Sequence, residues 1–342
     1  MLRAWGSEKN GVVLARVPVH NSAMAELFLN PNLPNYFVSA PEVTPTATAR
    51  SYVDEYEAAK VICFPNLGRD IDHDFWANLD TDKYPELKKF GPTLVPGIDA
   101  KDQGRRLRNG LVKRGVDEGI ARTMCDQFLA VCGQLLPAYE KIFSDYSFDR
   151  RKVMWRLNTI MAENMHVDTY KHENETHFAR MFVNLDTQPR IWHTSWRIQD
   201  MVEQAMGKIA PSTLKKRTKG DVWSAINSHF YGQNSREWWD EQPRHIAFFA
   251  PGDVWVVDSR QVSHQIFYGR RALSIDFSVP KQMMKNPDRH YLEIADAFRA
   301  ENKIAYDNEN GSAQRRPAEQ SAQPEEDRRS PVAAPERQLL RG

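Results

Sequence analysis

The sequence predicts a mainly β fold with flanking helices, an α+β arrangement around a jelly-roll core. Three observations predict it. Between about 150 and 280, strand-like runs recur at Val153–Leu157, Phe178–Leu185, Arg190–His193, His245–Phe249, Asp253–Val257 and Leu273–Val279. Turn signals separate several of them, at Asp186–Pro189, at Ala250-Pro251-Gly252 and at Tyr268-Gly269. Many short strands with Gly/Pro turns build antiparallel sandwiches or barrels. Ahead of them, residues 115–145 read as a helix.

The elements follow in chain order. The first 50 residues hold prolines at 31, 34, 41 and 45 and read as irregular structure wrapped on the body. A single domain is expected over 51–290, with its jelly-roll core at about 150–280. Ala59–Pro65 is a short apolar run closed by proline, a strand. In the 115–145 helix, Ile120, Met124, Phe128, Leu129, Val131, Leu135 and Tyr139 recur at three-to-four spacing. Asp117 or Glu118 suits its N-terminal end. Cys125 and Cys132, seven apart, share a buried face of that helix. Residues 197–242 interrupt the strands with a helical insert rich in Trp and Lys. The tail 308–342 has almost no aliphatic residues before Leu339. It cannot bury enough apolar surface to offset its ordering entropy and is expected to be disordered.

Bulk properties exclude several classes. Formal net charge is +1, so no global field draws the chain to nucleic acid or an anionic membrane. The basic run Lys215–Lys219 reads as a solvated helix end, so nucleic acid is not an expected partner. Three cysteines give neither a disulfide framework nor a CxxC zinc pair, which suits a reducing compartment. The N-terminus lacks the apolar run of a signal peptide, and no stretch reaches 18 apolar residues. The expected location is the cytoplasm, with at most peripheral, transient contact with the inner membrane.

The chemistry centres on Glu163-Asn164-Met165-His166-Val167-Asp168, which contains an HxD. In extended structure, residues i and i+2 point to the same face, so His166 and Asp168 project together. A second histidine from a neighbouring strand completes a set of two imidazoles and one carboxylate. Such a set leaves positions on Fe(II) open for a cosubstrate and O₂. An isolated HxD also arises by chance as a surface His and a turn Asp. Candidates for the second histidine are His172, His177, His193, His229, His245, His264 and His290. His193 and His245 lie at strand ends, so spacing alone does not remove them. Element order favours His264: strand, HxD, a long gap, turn, strand, His, final strand.

On the strand after HxD, Ala179, Met181, Val183 and Leu185 form one apolar face, and Arg180, Phe182 and Asn184 form the other. An arginine on an inward face is costly unless it meets an anion. A dicarboxylate cosubstrate would supply one through a bidentate contact. An arginine on the solvent face of an edge strand has the same pattern, and both readings stay open. Arg190, Arg270 and Arg271 are rival carboxylate anchors, with Arg271 just before the last strand.

Together the motifs Trp155-Arg156, His166-Val167-Asp168, Arg180-Met181-Phe182-Val183-Asn184-Leu185-Asp186 and Pro189-Arg190-Ile191-Trp192 resemble the Kdo hydroxylases. That family hydroxylates the 3-deoxy-D-manno-octulosonic acid sugar of bacterial lipopolysaccharide. The run Ala250–Gly269 is similar to the family's PG-x-x-W segment followed by Gln-Val-x-His, which assigns His264 as the distal ligand. The resemblance covers roughly residues 55–285. It implies a double-stranded β-helix and an Fe(II), 2-oxoglutarate-dependent dioxygenase. The metal ligands would be His166, Asp168 and His264.

The cosubstrate would meet Arg180, Asn184 and Arg271. The substrate, a small-molecule or lipid-linked sugar acid, would meet Trp155, Arg156 and Arg190. The sequence departs from the family pattern at Asp186, where Asn is expected. Ser274 stands where related oxygenases carry a basic residue, ten positions after the distal histidine. A hydroxylase of another small metabolite, or a cupin-like binding protein without turnover, would share many of these features.

Overall fold

Alternating side chains set the layering of this chain. The computed structural model describes residues 15–16, 26–40, 51–85, 87, 100–147, 150–156, 160–161, 164–168, 176–206, 208–210, 219–231 and 242–303. For 15–16, 100, 150–156, 160–161 and 219–221 only the backbone is described. Residues 1–307 gather into one compact unit. The tail 308–342, expected to be disordered, lies outside the described residues.

The strands are β1 (Ala15–Arg16), β2 (Glu26–Leu29), β3 (Phe37–Ser39), β4 (Val61–Phe64), β5 (Arg150–Arg156), β6 (Ile160–Met161), β7 (Thr176–Asn184), β8 (Arg190–Arg197), β9 (His245–Phe249), β10 (Val254–Val256), β11 (Val262–Gly269) and β12 (Ala272–Pro280). They form two six-stranded sheets. One runs β1-β2-β9-β8-β11-β6, and the other β3-β4-β10-β7-β12-β5. All pairings are antiparallel except β3 with β4. From β5 to β12 the chain alternates between sheets, except that β8 and β9 stay in one.

The helices are α1 (Val53–Glu57), α2 (His73–Asn78), α3 (Ala100–Val112), α4 (Glu118–Ile142), α5 (Ile198–Ala205), α6 (Lys219–Tyr231) and α7 (Tyr291–Glu301). Period-two alternation distributes the apolar residues between layers. Ala179, Met181 and Val183 of β7 and Leu273, Ile275, Phe277 and Val279 of β12 face the buried stripe of α4. That stripe includes Met124, Phe128, Val131 and Leu135. On the other side of these strands, Trp192, Phe249, Trp255 and Val262 fill the space between the sheets. In β4, Ile62 and Phe64 join the first layer, while Val61 and Cys63 join the second. A third core holds α5, α6 and α7 against Met165 and Val167.

The expected strands are present with boundaries shifted by a few residues, and α4 occupies the expected helix despite Pro137. Asp117 sits at its N-terminus, but its carboxylate takes Lys83 Nζ at 2.7 Å and Tyr84 Oη at 2.6 Å instead of capping. The insert at 197–242 contains α5 and α6. The N-terminal segment differs from the irregular reading. Glu26–Leu29 pairs with β9 and Phe37–Ser39 with β4, extending both sheets at their edges. The prolines at 31 and 34 lie between these strands, where no ladder donor is needed.

Candidate metal centre

Met165 and Val167 turn into the helical core, so His166 and Asp168 face the opposite way. Backbone bonds hold this short extended segment. His166 and His264 form an isolated antiparallel bridge, with N–H to O distances of 3.1 and 2.8 Å. The Asp168 amide donates to the Ser259 carbonyl at 2.9 Å. The β8–β11 register shifts between Val262 and His264, a bulge that re-aims the following side chain.

As a result, His166, Asp168 and His264 each offer one ligand atom, all within 4.8 Å of one another. The histidine tautomers follow from their partners. His166 Nδ1 lies 2.7 Å from the Asn164 carbonyl, and His264 Nδ1 lies 3.1 Å from the Val262 carbonyl. A carbonyl only accepts, so each Nδ1 carries the proton and each Nε2 keeps its lone pair. His166 Nε2 stands 3.5 Å from Asp168 Oδ1. Burial, then the neighbouring His166, lowers the His264 pKa to about 4, so its ring is neutral near pH 7. Burial alone would raise the Asp168 carboxyl. His166, Arg180, His264 and Ser259 outweigh it and hold the group well below the usual carboxylate range.

Behind the triad stands a second set of polar groups. Arg180 Nη1 donates to Asp168 Oδ2 and to Ser259 Oγ. Ser259 Oγ donates to the same Oδ2 at 2.6 Å. Arg180 Nε lies 2.9 Å from Asp276 Oδ1, its direct register partner across β7 and β12. Arg180 does face inward, as the strand pattern allowed. The anions it meets are Asp168 and Asp276 of the chain itself.

The other expected contacts are scattered. Asn184 Nδ2 donates to the carbonyls of Gln188 and Phe249, at 2.8 and 3.0 Å, and organises a turn. Arg271 donates to the carbonyls of Trp76 and Leu79 at 3.0 and 2.9 Å, closing the end of α2. Arg190 is buried in register with Phe249, whereas His264 is level with Thr194, four residues or about 13 Å along β8. Arg270 is bound to both oxygens of Asp186, which explains the acid at that position. Of the nine candidates, the triad and Arg180 meet at one point. Asn184, Arg190 and Arg271 serve the opposite end of the sandwich, and the side chains of Trp155 and Arg156 lie outside the described residues. Ser259 and Asp276 were not singled out by the sequence. Only the alternation that puts Asp276 on the face of Ser274 hinted at an inward carboxylate.

Two imidazole nitrogens with fixed tautomers and one ionised carboxylate fit a divalent first-row metal with positions left open. Comparisons with known proteins bear on the fold and the family. A search of curated proteins gives no match. Among solved structures, the chain is similar to that of the Kdo hydroxylase KdoO, a non-heme Fe(II) alphaketoglutarate dependent dioxygenase, in complex with cobalt(II). Identity is 18%, coverage is 81% of this chain and 99% of that one, and the TM-score is 0.52, which shows a shared fold. A Pseudomonas putida prolyl-4-hydroxylase is more distant, at 12% identity, coverage of 71% and 96%, and a TM-score of 0.32. The family model of 3-deoxy-D-manno-oct-2-ulosonic acid (Kdo) hydroxylase matches residues 40–301, well over half of the sequence, and the chain belongs to that family.

Proposed function

We propose that this protein is an Fe(II)- and 2-oxoglutarate-dependent hydroxylase of a Kdo-type sugar acid, with the metal on His166, Asp168 and His264. The observation that carries the reading is the convergence of these three ligand atoms within 4.8 Å in a chain of the Kdo hydroxylase family. The sheet orders β6-β11-β8-β9 and β5-β12-β7-β10 support a double-stranded β-helix, with eight successive strands wound through two sheets. The HxD segment precedes the third of these strands, and His264 lies on the seventh.

When bound, Fe(II) and 2-oxoglutarate supply a centre that activates O₂ and inserts one oxygen atom into a C–H bond, yielding succinate and CO₂. The protein's residues prepare the site for this. The two Nδ1–H···O=C bonds aim both Nε2 lone pairs inward. Asp168 contributes the only carboxylate of the triad, and its presence favours hydroxylation over halide transfer. Trp192, Phe182 and Trp255 fill the interior beside His264 and would keep water from that side of a bound metal. No helix among the described residues is long and apolar enough to cross a membrane. We place the enzyme in the cytoplasm, meeting a free or lipid-linked sugar with at most peripheral membrane contact.

The test is anaerobic Fe(II) loading followed by 2-oxoglutarate consumption in air, wild type beside His264→Ala. Parallel samples receive soluble Kdo, Kdo-bearing lipid A or neither. Succinate from wild type alone, with an added oxygen in one of the sugars, supports the reading and identifies the form of substrate used. Succinate that neither sugar stimulates moves the reading to another metabolite. Iron binding without succinate under any condition leaves a cupin-like binding protein.

A further inference from the structure

We infer that Arg180 and Ser259 hold Asp168 as a one-oxygen metal ligand, and thereby keep free the coordination position that cosubstrate and O₂ together require. The inference rests on the metal-site reading above and extends it to two positioning residues.

A carboxylate can give a metal one oxygen or two. The two oxygens of Asp168 are not equivalent. Oδ1 faces His166 Nε2 at 3.5 Å, and His264 offers a ligand atom to the same cluster. Oδ2 accepts from both Arg180 Nη1 and Ser259 Oγ. To ligate through both oxygens, Asp168 would have to turn Oδ2 away from two donors, one of them a cation. Charge-assisted hydrogen bonds are the strong ones, so the one-oxygen mode is favoured.

The clamp is fixed in three further ways. Asp168 N donates to the Ser259 carbonyl at 2.9 Å, so one residue holds both the backbone and the carboxylate of the ligand. Arg180 donates to Ser259 Oγ, which leaves that hydroxyl's own proton for Oδ2. Asp276 Oδ1 forms an ion pair with Arg180 Nε at 2.9 Å, and its Oδ2 accepts from Ser274 Oγ at 3.3 Å. Arg180 and Asp276 face each other by strand register, so a one-residue slip of β12 would dismantle the clamp.

Counting positions shows the consequence. In a six-coordinate site, two imidazoles and one carboxylate oxygen leave three positions. A chelating 2-oxo acid would take two, and O₂ would take the third. A two-oxygen Asp168 would remove one of them. Arg180 therefore acts on cosubstrate binding through the metal ligand, and its charge is already matched by two carboxylates.

The experiment uses full-length protein and Co(II) as the probe metal, without oxygen. Ser259→Ala removes one donor to Oδ2, and Arg180→Lys keeps the charge but loses the fork. Co(II) affinity is read by calorimetry, ligand geometry by the d–d absorption band, and 2-oxoglutarate affinity by titration into the loaded protein. The expected result for Ser259→Ala is Co(II) affinity within about threefold of wild type, an altered d–d band, and 2-oxoglutarate binding at least tenfold weaker. Arg180→Lys is expected to change in the same direction. Unchanged 2-oxoglutarate affinity and an unchanged band in both variants overturn the inference while leaving the metal site intact. Loss of Co(II) binding in step with thermal stability also overturns it, because the residues would then be merely structural. A wild type that binds no Co(II) overturns the inference and the metal-site reading together.

Discussion

Trp192 lies flat against the imidazole of His264, with ring centroids 5.2 Å apart and planes 19° from parallel. The indole is 2% exposed and also packs edge-on against Phe182 and Trp255. It is therefore both a core residue and the wall that fixes the rotamer of His264. Trp192→Ala is expected to cost about 3–5 kcal/mol of stability, the usual range for a buried tryptophan. It should also weaken metal binding by about tenfold or more, since His264 loses its wall. Trp192→Phe keeps a flat face and should retain most of the metal affinity. Urea unfolding and metal titration on the same samples separate the two effects. Wild-type metal affinity in Trp192→Ala would restrict the residue to packing.

Arg271 tests a different assignment. Its position before the last strand fits a cosubstrate anchor in sequence, yet its guanidinium is spent on the carbonyls of Trp76, Leu79 and Arg270. The first two carbonyls lie at and just beyond the end of a short helix, where the helix itself supplies no donors. Arg271→Met should therefore lower stability by roughly 1–3 kcal/mol, the cost of leaving buried acceptors unsatisfied. The KM for 2-oxoglutarate should stay within about twofold of wild type. A tenfold rise in that KM with unchanged stability would restore the anchor assignment.

The contrast between Arg180 and Arg271 shows what the sequence made legible. Period-two alternation in β7 placed Arg180 on the face opposite Ala179, Met181, Val183 and Leu185, but only the strand pairing shows that this face is the inner one. The HxD spacing likewise placed His166 and Asp168 side by side. Both are local consequences of strand geometry. His264 was favoured by element order, but β11 itself was not recognised as a strand. Its polar residues Ser263 and Gln265 are buried by long-range contacts, Ser263 under Tyr231 and Gln265 beside His193. Partner identity was also hidden. Nothing near Arg180 in the chain announces Asp276, 96 residues away, or Ser259, because strand pairing across the fold creates those contacts.

Gly252 offers a purely conformational test. It turns between β9 and β10 with φ at +78°, and an added Cβ would meet Gly68 and Arg69 backbone at 2.9 Å. The Gly68 amide donates to the Gly252 carbonyl at 2.8 Å, so neither strand of backbone can retreat without losing that bond. Gly252→Ala should destabilise by more than about 1 kcal/mol, because left-handed strain and a backbone clash add. A thermal melt measures it. An unchanged midpoint would mean that the 66–69 turn yields freely.

His245 gives the fold a pH dependence that can be located to one amide. Its Nδ1 accepts from the Asn30 backbone N–H at 2.9 Å, and its Nε2 faces the Pro34 carbonyl at 3.0 Å. One nitrogen must accept and the other donate, so the native ring is neutral. Burial lowers its pKa below the ordinary 6.5, against the smaller opposing effect of Pro34. Burial also lowers His193 and His290 to about 4. For each of these groups the unfolded chain takes up protons before the native one does. Their stabilisation is complete above pH 6.5 and declines as pH falls through the native values. Asp253 has the opposite sign. Burial raises it to about 6, so its contribution is present at low pH and lost as pH rises from 3.8 to 6. The local consequence at His245 is separable from this sum. Protonating Nδ1 removes the acceptor of Asn30 and loosens the segment that carries β2 and β3. Hydrogen exchange, corrected for the intrinsic effect of pH, should show the protection factor of the Asn30 amide falling between pH 7 and pH 5. Amides of β7 should hold theirs over the same interval. Equal protection of Asn30 at both pH values would show that the ring stays neutral and that the N-terminal strands are held by their ladders alone.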